Sequence, residues 1–247
     1  MKSRQNLTRL RAVSIPAPGQ TQACAPPLQR ERAGRDARTV LTSLRRAGLL
    51  SCLTAVPVGI LYLDIQWLGN GVGEHSLVEA TQLLSLTCAV LGFAALAASR
   101  LDRRFAVLAS AFFTCMMIRE LDAVWDLVAD GLWQYLVALV ASSGLIYSLL
   151  DWREMLRGMA RLLVSRDGLL LTWGLVLLLV YSRLLGMGLL WRGLLDEQYL
   201  RTFKNAVEEG TELLGYVLVA AAGLSYAVRR TRTGGTITRR RHGGPSD

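Results

Sequence analysis

The chain has 247 residues, 52% of them hydrophobic and 19% charged, with a formal net charge of +9. A soluble domain of this size carries about 25% charged residues spread along its length. Here the apolar residues are gathered into runs of about 18–24, the length that crosses a bilayer core, and short charged stretches separate the runs. With only His75 and His242 in the chain, a haem held by paired intramembrane histidines and a His-based zinc site are excluded. Cys24, Cys52, Cys88 and Cys115 form no CxxC pair and read as small core residues.

Residues 1–46 hold ten Lys/Arg against two acids, and Pro16, Pro18, Pro26 and Pro27 interrupt any long helix. A disordered basic segment is expected there, with a short helix near 38–46. No apolar stretch follows the first basic residues in the manner of a secretory signal. The first span is predicted at 47–68, with Pro57 in its middle and Asp64 near its far end. A flexible link at 69–76 leads to span two at 77–99, which opens with Glu79 and Gln82. The basic link 100–104 precedes span three at 105–128, whose apolar start runs into Arg119, Glu120, Asp122 and Asp126.

A tight turn at 129–132 and the aromatic anchors Trp133 and Tyr135 introduce span four at 133–150. In 151–166, Trp152, Met155, Leu156, Met159, Leu162 and Leu163 recur at helical spacing, with Arg153, Arg157 and Arg161 on another face. That is the pattern of an amphipathic helix lying on a membrane surface. Span five, at 169–191, includes Arg183. The segment 192–210 reads in its last part as helix running into span six at 211–228, and the basic, Gly-rich tail 229–247 is expected to be disordered.

The predicted fold class is therefore all-α: a polytopic membrane protein with a six-span domain at 47–228 and both termini inside. The orientation follows from charge. The N-terminal segment, the 100–104 link, the 151–168 segment and the tail carry 10, 3, 4 and 6 Lys/Arg, and in a six-span chain these four segments share a side. The net positive charge thus reflects basic loops facing anionic lipid headgroups and gives no argument for nucleic acid. Of the 28 basic residues only Lys2 and Lys204 are lysine, a bias that fits a GC-rich bacterial coding sequence and hence the inner membrane of a bacterium.

Placing each charge by depth, at about 1.5 Å per residue, puts Asp64, Gln82, Arg119, Asp122, Arg183 and Glu212 roughly 20–27 Å from the inner edge, with Glu79, Asp126 and Glu208 slightly further out. Ionisable groups at such depth are costly, roughly 2.5–3.5 kcal/mol each near the centre, so an intramembrane charge is a functional candidate by default. Arg119, Glu120, Asp122, Arg183 and Glu212 form the expected cluster, with Asp64, Glu79, Gln82, Asp126 and Glu208 peripheral to it. On a continuous helix Arg119, Asp122 and Asp126 share one face, and so do Glu208 and Glu212 on span six. Arg119 is expected to pair with Asp122 or a span-six acid, and Arg183 with Glu79 or Glu212. Tyr135 and Tyr216 lie at a depth from which they could line the cluster.

Acids exceed bases in this layer, so it suits sharing protons or holding a cation. The first expectation is binding or transport of a proton, a cation or a small polar group. The second is a membrane-embedded enzyme for a lipid or lipid-linked substrate, in which Glu120, Glu208 or Glu212 holds a divalent metal; no other cofactor is evident. The third is an assembly subunit whose charges pair with another copy or a membrane partner. The stretch ASSGL at 141–145 resembles the serine loop of rhomboid proteases, but no histidine lies in any span to activate Ser142 or Ser143.

Overall fold

A computed structural model describes the backbone of residues 27–66, 76–191 and 197–242. All the elements in it are helical: α1 (Pro27–Gln66), α2 (Leu77–Ala98), α3 (Arg103–Glu120), α4 (Asp122–Asp126), α5 (Leu132–Leu149), α6 (Trp152–Val164), α7 (Arg166–Val176), α8 (Ser182–Leu185), α9 (Gly188–Trp191) and α10 (Glu197–His242). One wide π turn, Leu177–Tyr181, joins α7 to α8 and makes a single rod of them. Five helical stretches are long and apolar enough to cross a membrane: 34–66, 77–98, 132–149, 166–185 and 203–233. Helix α3 misses that standard only because it carries Arg103, Arg104, Arg119 and Glu120 at its two ends.

Three sequence expectations are corrected here. Helix α1 is continuous from Pro27 through the whole of 38–46, where only a short helix is expected; Pro27 stands at its first position, where a missing N–H costs nothing. The tail is helical through His242, because 229–242 simply prolongs the longest helix of the chain. Span three is not one helix to 128. It ends at Glu120, and Leu121 leaves helical geometry at φ −99° and ψ 19° before the single turn of α4. The disordered segment expected at 1–26, most of the 69–76 link, and 243–247 lie outside the described residues.

The helix starts are readable locally. Ser76 caps α2 by accepting from the Glu79 N–H at 3.2 Å, and the buried Asp64 carboxylate accepts from the Val78 N–H at 3.4 Å. Asp151 caps α6 and Ser165 caps α7 in the same way, each at 3.0 Å. The apolar, charge-bearing α6 pattern does form a separate helix. It buries Gly158 and Leu162 and leaves Trp152, Leu156, Met159 and Leu163 exposed.

Within residues 49–247, α10 is the axis. It runs in the same direction as α2 and antiparallel to α3 and to the α7–α8 rod, as the pairs Gln82–Glu209, Glu120–Tyr216 and Asp167–Arg229 require. Between these ends lies an apolar core of Leu86, Phe93, Phe113, Leu178, Val219 and Ala222. Phe93 stacks on Phe113 with centroids 5.7 Å apart and meets Phe105 edge-on at 6.1 Å. Small residues set the closest approaches. A Cβ on Gly215 would stand 3.0 Å from the Gly174 carbonyl oxygen, and a Cβ on Gly144 would stand 2.5 Å from the Ala111 Cβ. A smaller cluster, Val78, Leu213 and Val217, receives Leu53, Ile60 and Leu61 of α1.

The bundle has two chemically distinct ends. At one end, hereafter basic, Asp102 sits in the left-handed region at φ 51°, a conformation that aspartate tolerates better than most residues. Its buried carboxylate accepts from Arg161 of α6 and from Arg230 Nε of α10 at 2.9 Å, so three elements meet on one side chain. Asp167 pairs with Arg229 alongside. Arg104 lies 4.1 Å over the Tyr147 ring and donates to the Tyr147 carbonyl at 2.7 Å, which fastens α3 to α5.

Two outcomes follow for the isolated protein unfolded by sodium dodecyl sulfate from mixed micelles. Gly144→Val should lower the unfolding free energy by about 1–3 kcal/mol, because α3 and α5 must part. Asp102→Asn should lower it by about 1.5–3 kcal/mol, because two guanidiniums lose their charged acceptor.

Candidate functional site

The opposite end of the bundle is acidic. It is built from the start of α2, the end of α3, α8, and residues 203–216 of α10. The π turn stands immediately before Ser182 and Arg183, and an inserted residue of that kind turns the following helix face by about 100° relative to an unbroken helix. Arg183 then reaches α10, with Nη2 2.8 Å from Glu212 Oε1 and Nη1 3.7 Å from Glu208 Oε1. Lys204 approaches the other Glu208 oxygen at 3.8 Å. Glu208 lies directly against bare backbone, for a Cβ on Gly186 would fall 2.5 Å from its Oε1.

The end of α3 adds a second group. Tyr216, 1% exposed, donates its hydroxyl to Glu120 Oε1 at 2.7 Å, and Arg119 Nη1 stands 3.3 Å from the same oxygen. The start of α2 adds a third: the buried Gln82 amide donates to Glu209 Oε2 at 3.1 Å. These three groups share one electrostatic neighbourhood. Glu209 feels the charges of Glu120, Glu208 and Glu79, and Glu212 feels those of Glu209, Glu120 and Arg119.

Of the residues the sequence singles out, Glu120, Arg119, Arg183, Glu212, Glu208, Glu79 and Gln82 are thus brought to one end. Arg183 takes one of its two expected partners, Glu212. Asp122 and Asp126 do not join. The break at Leu121 turns them into the exposed turn, where Asp122 Oδ1 accepts from the Ala123 N–H at 2.7 Å and Asp126 Oδ1 from the Gly131 N–H at 2.9 Å. The shared face of Arg119, Asp122 and Asp126 therefore does not exist, and Arg119 pairs with its neighbour Glu120. Asp64 is fully buried but belongs to the α2 N-terminus. Tyr216 is in the site, whereas Tyr135 is 75% exposed. His75 lies outside the described residues.

Sequence reasoning misses Glu209. Its signal was available: Glu209 stands three residues from Glu212, as Gln82 stands three from Glu79, and such pairs share a helix face. Among the described residues no three His, Cys, Asp or Glu side chains converge as a ready metal-ligand set. Comparison with known proteins finds no matching family model, no matching curated protein and no matching solved structure.

The Arg183–Glu212 pair gives a direct test of the site's construction. Arg183 is half exposed and Glu212 nearly buried, so screening moderates their coupling. A double-mutant cycle with Arg183→Gln and Glu212→Gln should return a coupling on the order of 1 kcal/mol in unfolding free energy, the double variant losing less than the two single variants together.

Proposed function

We propose that this chain is a six-span inner-membrane protein of a bacterium, with both termini inside, whose outward-facing acidic end binds a proton or a small inorganic cation. Helix α3 serves as the sixth span. Its eighteen residues reach about 27 Å, and its charges sit only at the two ends, beside partners that relieve them. The basic link, α6 and the arginines of α10 gather at one end of the bundle, which the distribution of Lys/Arg assigns to the inside. The exposed Trp152, Leu156, Met159 and Leu163 face of α6 then lies in that interface, among anionic headgroups.

The observation that carries the binding reading is Glu209. It is half-buried at the acidic end, and among the described residues its hydrogen-bond partner is a neutral amide, not a cation. Among the described residues, Glu209 with Glu120, Glu208 and Glu212 outnumbers Arg119, Arg183 and Lys204, so the arrangement retains negative charge that a proton or metal cation would relieve. Binding with release to the same side is favoured over passage through the bundle, because the core beneath is made of Leu86, Ala89, Phe93, Phe113 and Val219.

The test is thermal unfolding of the purified full chain in chloride salts of sodium, potassium, magnesium, calcium and choline at one ionic strength, with infrared spectra of the carboxyl region taken across pH. One inorganic cation should raise Tm saturably where choline does not. Alternatively, a protonated-carboxyl band should titrate. In either case Glu209→Gln should remove the response. No cation-specific rise and no titrating band that Glu209→Gln removes would end this reading.

A further inference from the structure

The basic end contains a second site that the acidic end does not explain. A cavity of about 280 Å³ opens between the start of α7 and residues 226–233 of α10, lined by Ser165, Arg166, Asp167, Tyr226, Arg229 and Arg230. That is room for several water-sized groups. Tyr226, 5% exposed, is among the lining residues, and its buried hydroxyl has no hydrogen-bond partner among the described residues. A buried hydroxyl without a partner is destabilising, and an isolated one in a native fold asks for a ligand or water.

The walls are cationic. Arg229 is paired with Asp167, and Arg230 shares Asp102 with Arg161. Arg166 makes no ion pair among the described residues. The lining thus holds three guanidiniums against the single carboxylate of Asp167, with Asp102 behind Arg230, and positive charge remains. Each guanidinium has five N–H donors, so Arg229 and Arg230 keep donors after their carboxylates are served. Helix α7, eleven residues long, points its N-terminus into the same cavity, where a dipole favours an anion.

We propose that this cavity binds a phosphate group, with Arg166 and the free N–H donors of Arg229 and Arg230 holding its oxygens and the Tyr226 hydroxyl donating to them. Two sources supply that chemistry at this position: the headgroup of an anionic phospholipid of the inner leaflet, and a soluble phosphate. The lipid source rests on the orientation proposed above; the site itself does not, and neither source involves the acidic end.

The experiment measures Tm of the full chain in a neutral detergent while dioctanoyl phosphatidylglycerol, inorganic phosphate or dioctanoyl phosphatidylcholine is titrated in. Wild type, Arg166→Gln and Tyr226→Phe are compared. Arg166 is exposed and unpaired, and Tyr226→Phe removes an unsatisfied hydroxyl, so both variants should match or exceed wild-type Tm without ligand. A saturable rise with phosphatidylglycerol alone assigns the lipid headgroup, and one with inorganic phosphate assigns the soluble anion. In either case the midpoint should weaken about tenfold in Arg166→Gln and about fivefold in Tyr226→Phe. The proposal is overturned if neither anion gives a saturable rise, if phosphatidylcholine acts equally well, or if either variant keeps the wild-type midpoint.

Discussion

The position of α10 is fixed by charge at both ends and by apolar packing between. At the acidic end Glu212 holds Arg183 of α8, Tyr216 holds Glu120 of α3, and Glu209 holds Gln82 of α2. At the basic end Arg230 holds Asp102 and Arg229 holds Asp167. The same two neighbours, α3 and the α7–α8 rod, are thus gripped twice, at points on α10 separated by about 21–26 Å of helix. In a medium with little water an unpaired ion is far costlier than a weak pair is stabilising, so these contacts select one register of α10 more than they add to its affinity.

What lies between the two charged ends explains their separation. Phe93, Phe105 and Phe113 fill the space between α2 and α3, and glycines on α7 and α10 let those backbones approach closely. Hydrophobic burial gives little drive between helices that lipid already solvates, so packing and polar pairing must supply specificity. The apolar middle also insulates the ends from each other. Carboxylates collect at one and arginines at the other, which suits two independent binding sites of opposite charge better than a path joining them.

The sequence pattern was legible where periodicity and composition speak locally. Long apolar runs mark the helices long and apolar enough to cross a membrane, the helical spacing of Trp152 to Leu163 marks α6, and Glu120, Arg183 and Glu212, grouped from the sequence, stand at one end of the bundle. It failed where geometry depends on a single residue or a distant partner. Nothing local marks Leu121 as the point where α3 stops, and that break removes Asp122 and Asp126 from the site. The pairing of Glu209 with Gln82 has no local mark, because the two stand 127 positions apart. The basic tail reads from sequence as disordered, yet Arg229 and Arg230 are structural partners of Asp167 and Asp102, a role that exists only once α10 continues past the core.

By itself, then, the amino-acid sequence determined the helical class, the apolar segments and the sorting of charge along the chain, because these follow from the cost of placing each residue type in a hydrocarbon or aqueous surrounding. The tertiary structure alone decided which charges meet. Pairing depends on helix rotation and on interruptions such as the π turn before Arg183 and the break at Leu121, and a shift of one residue turns a helix face by about 100°.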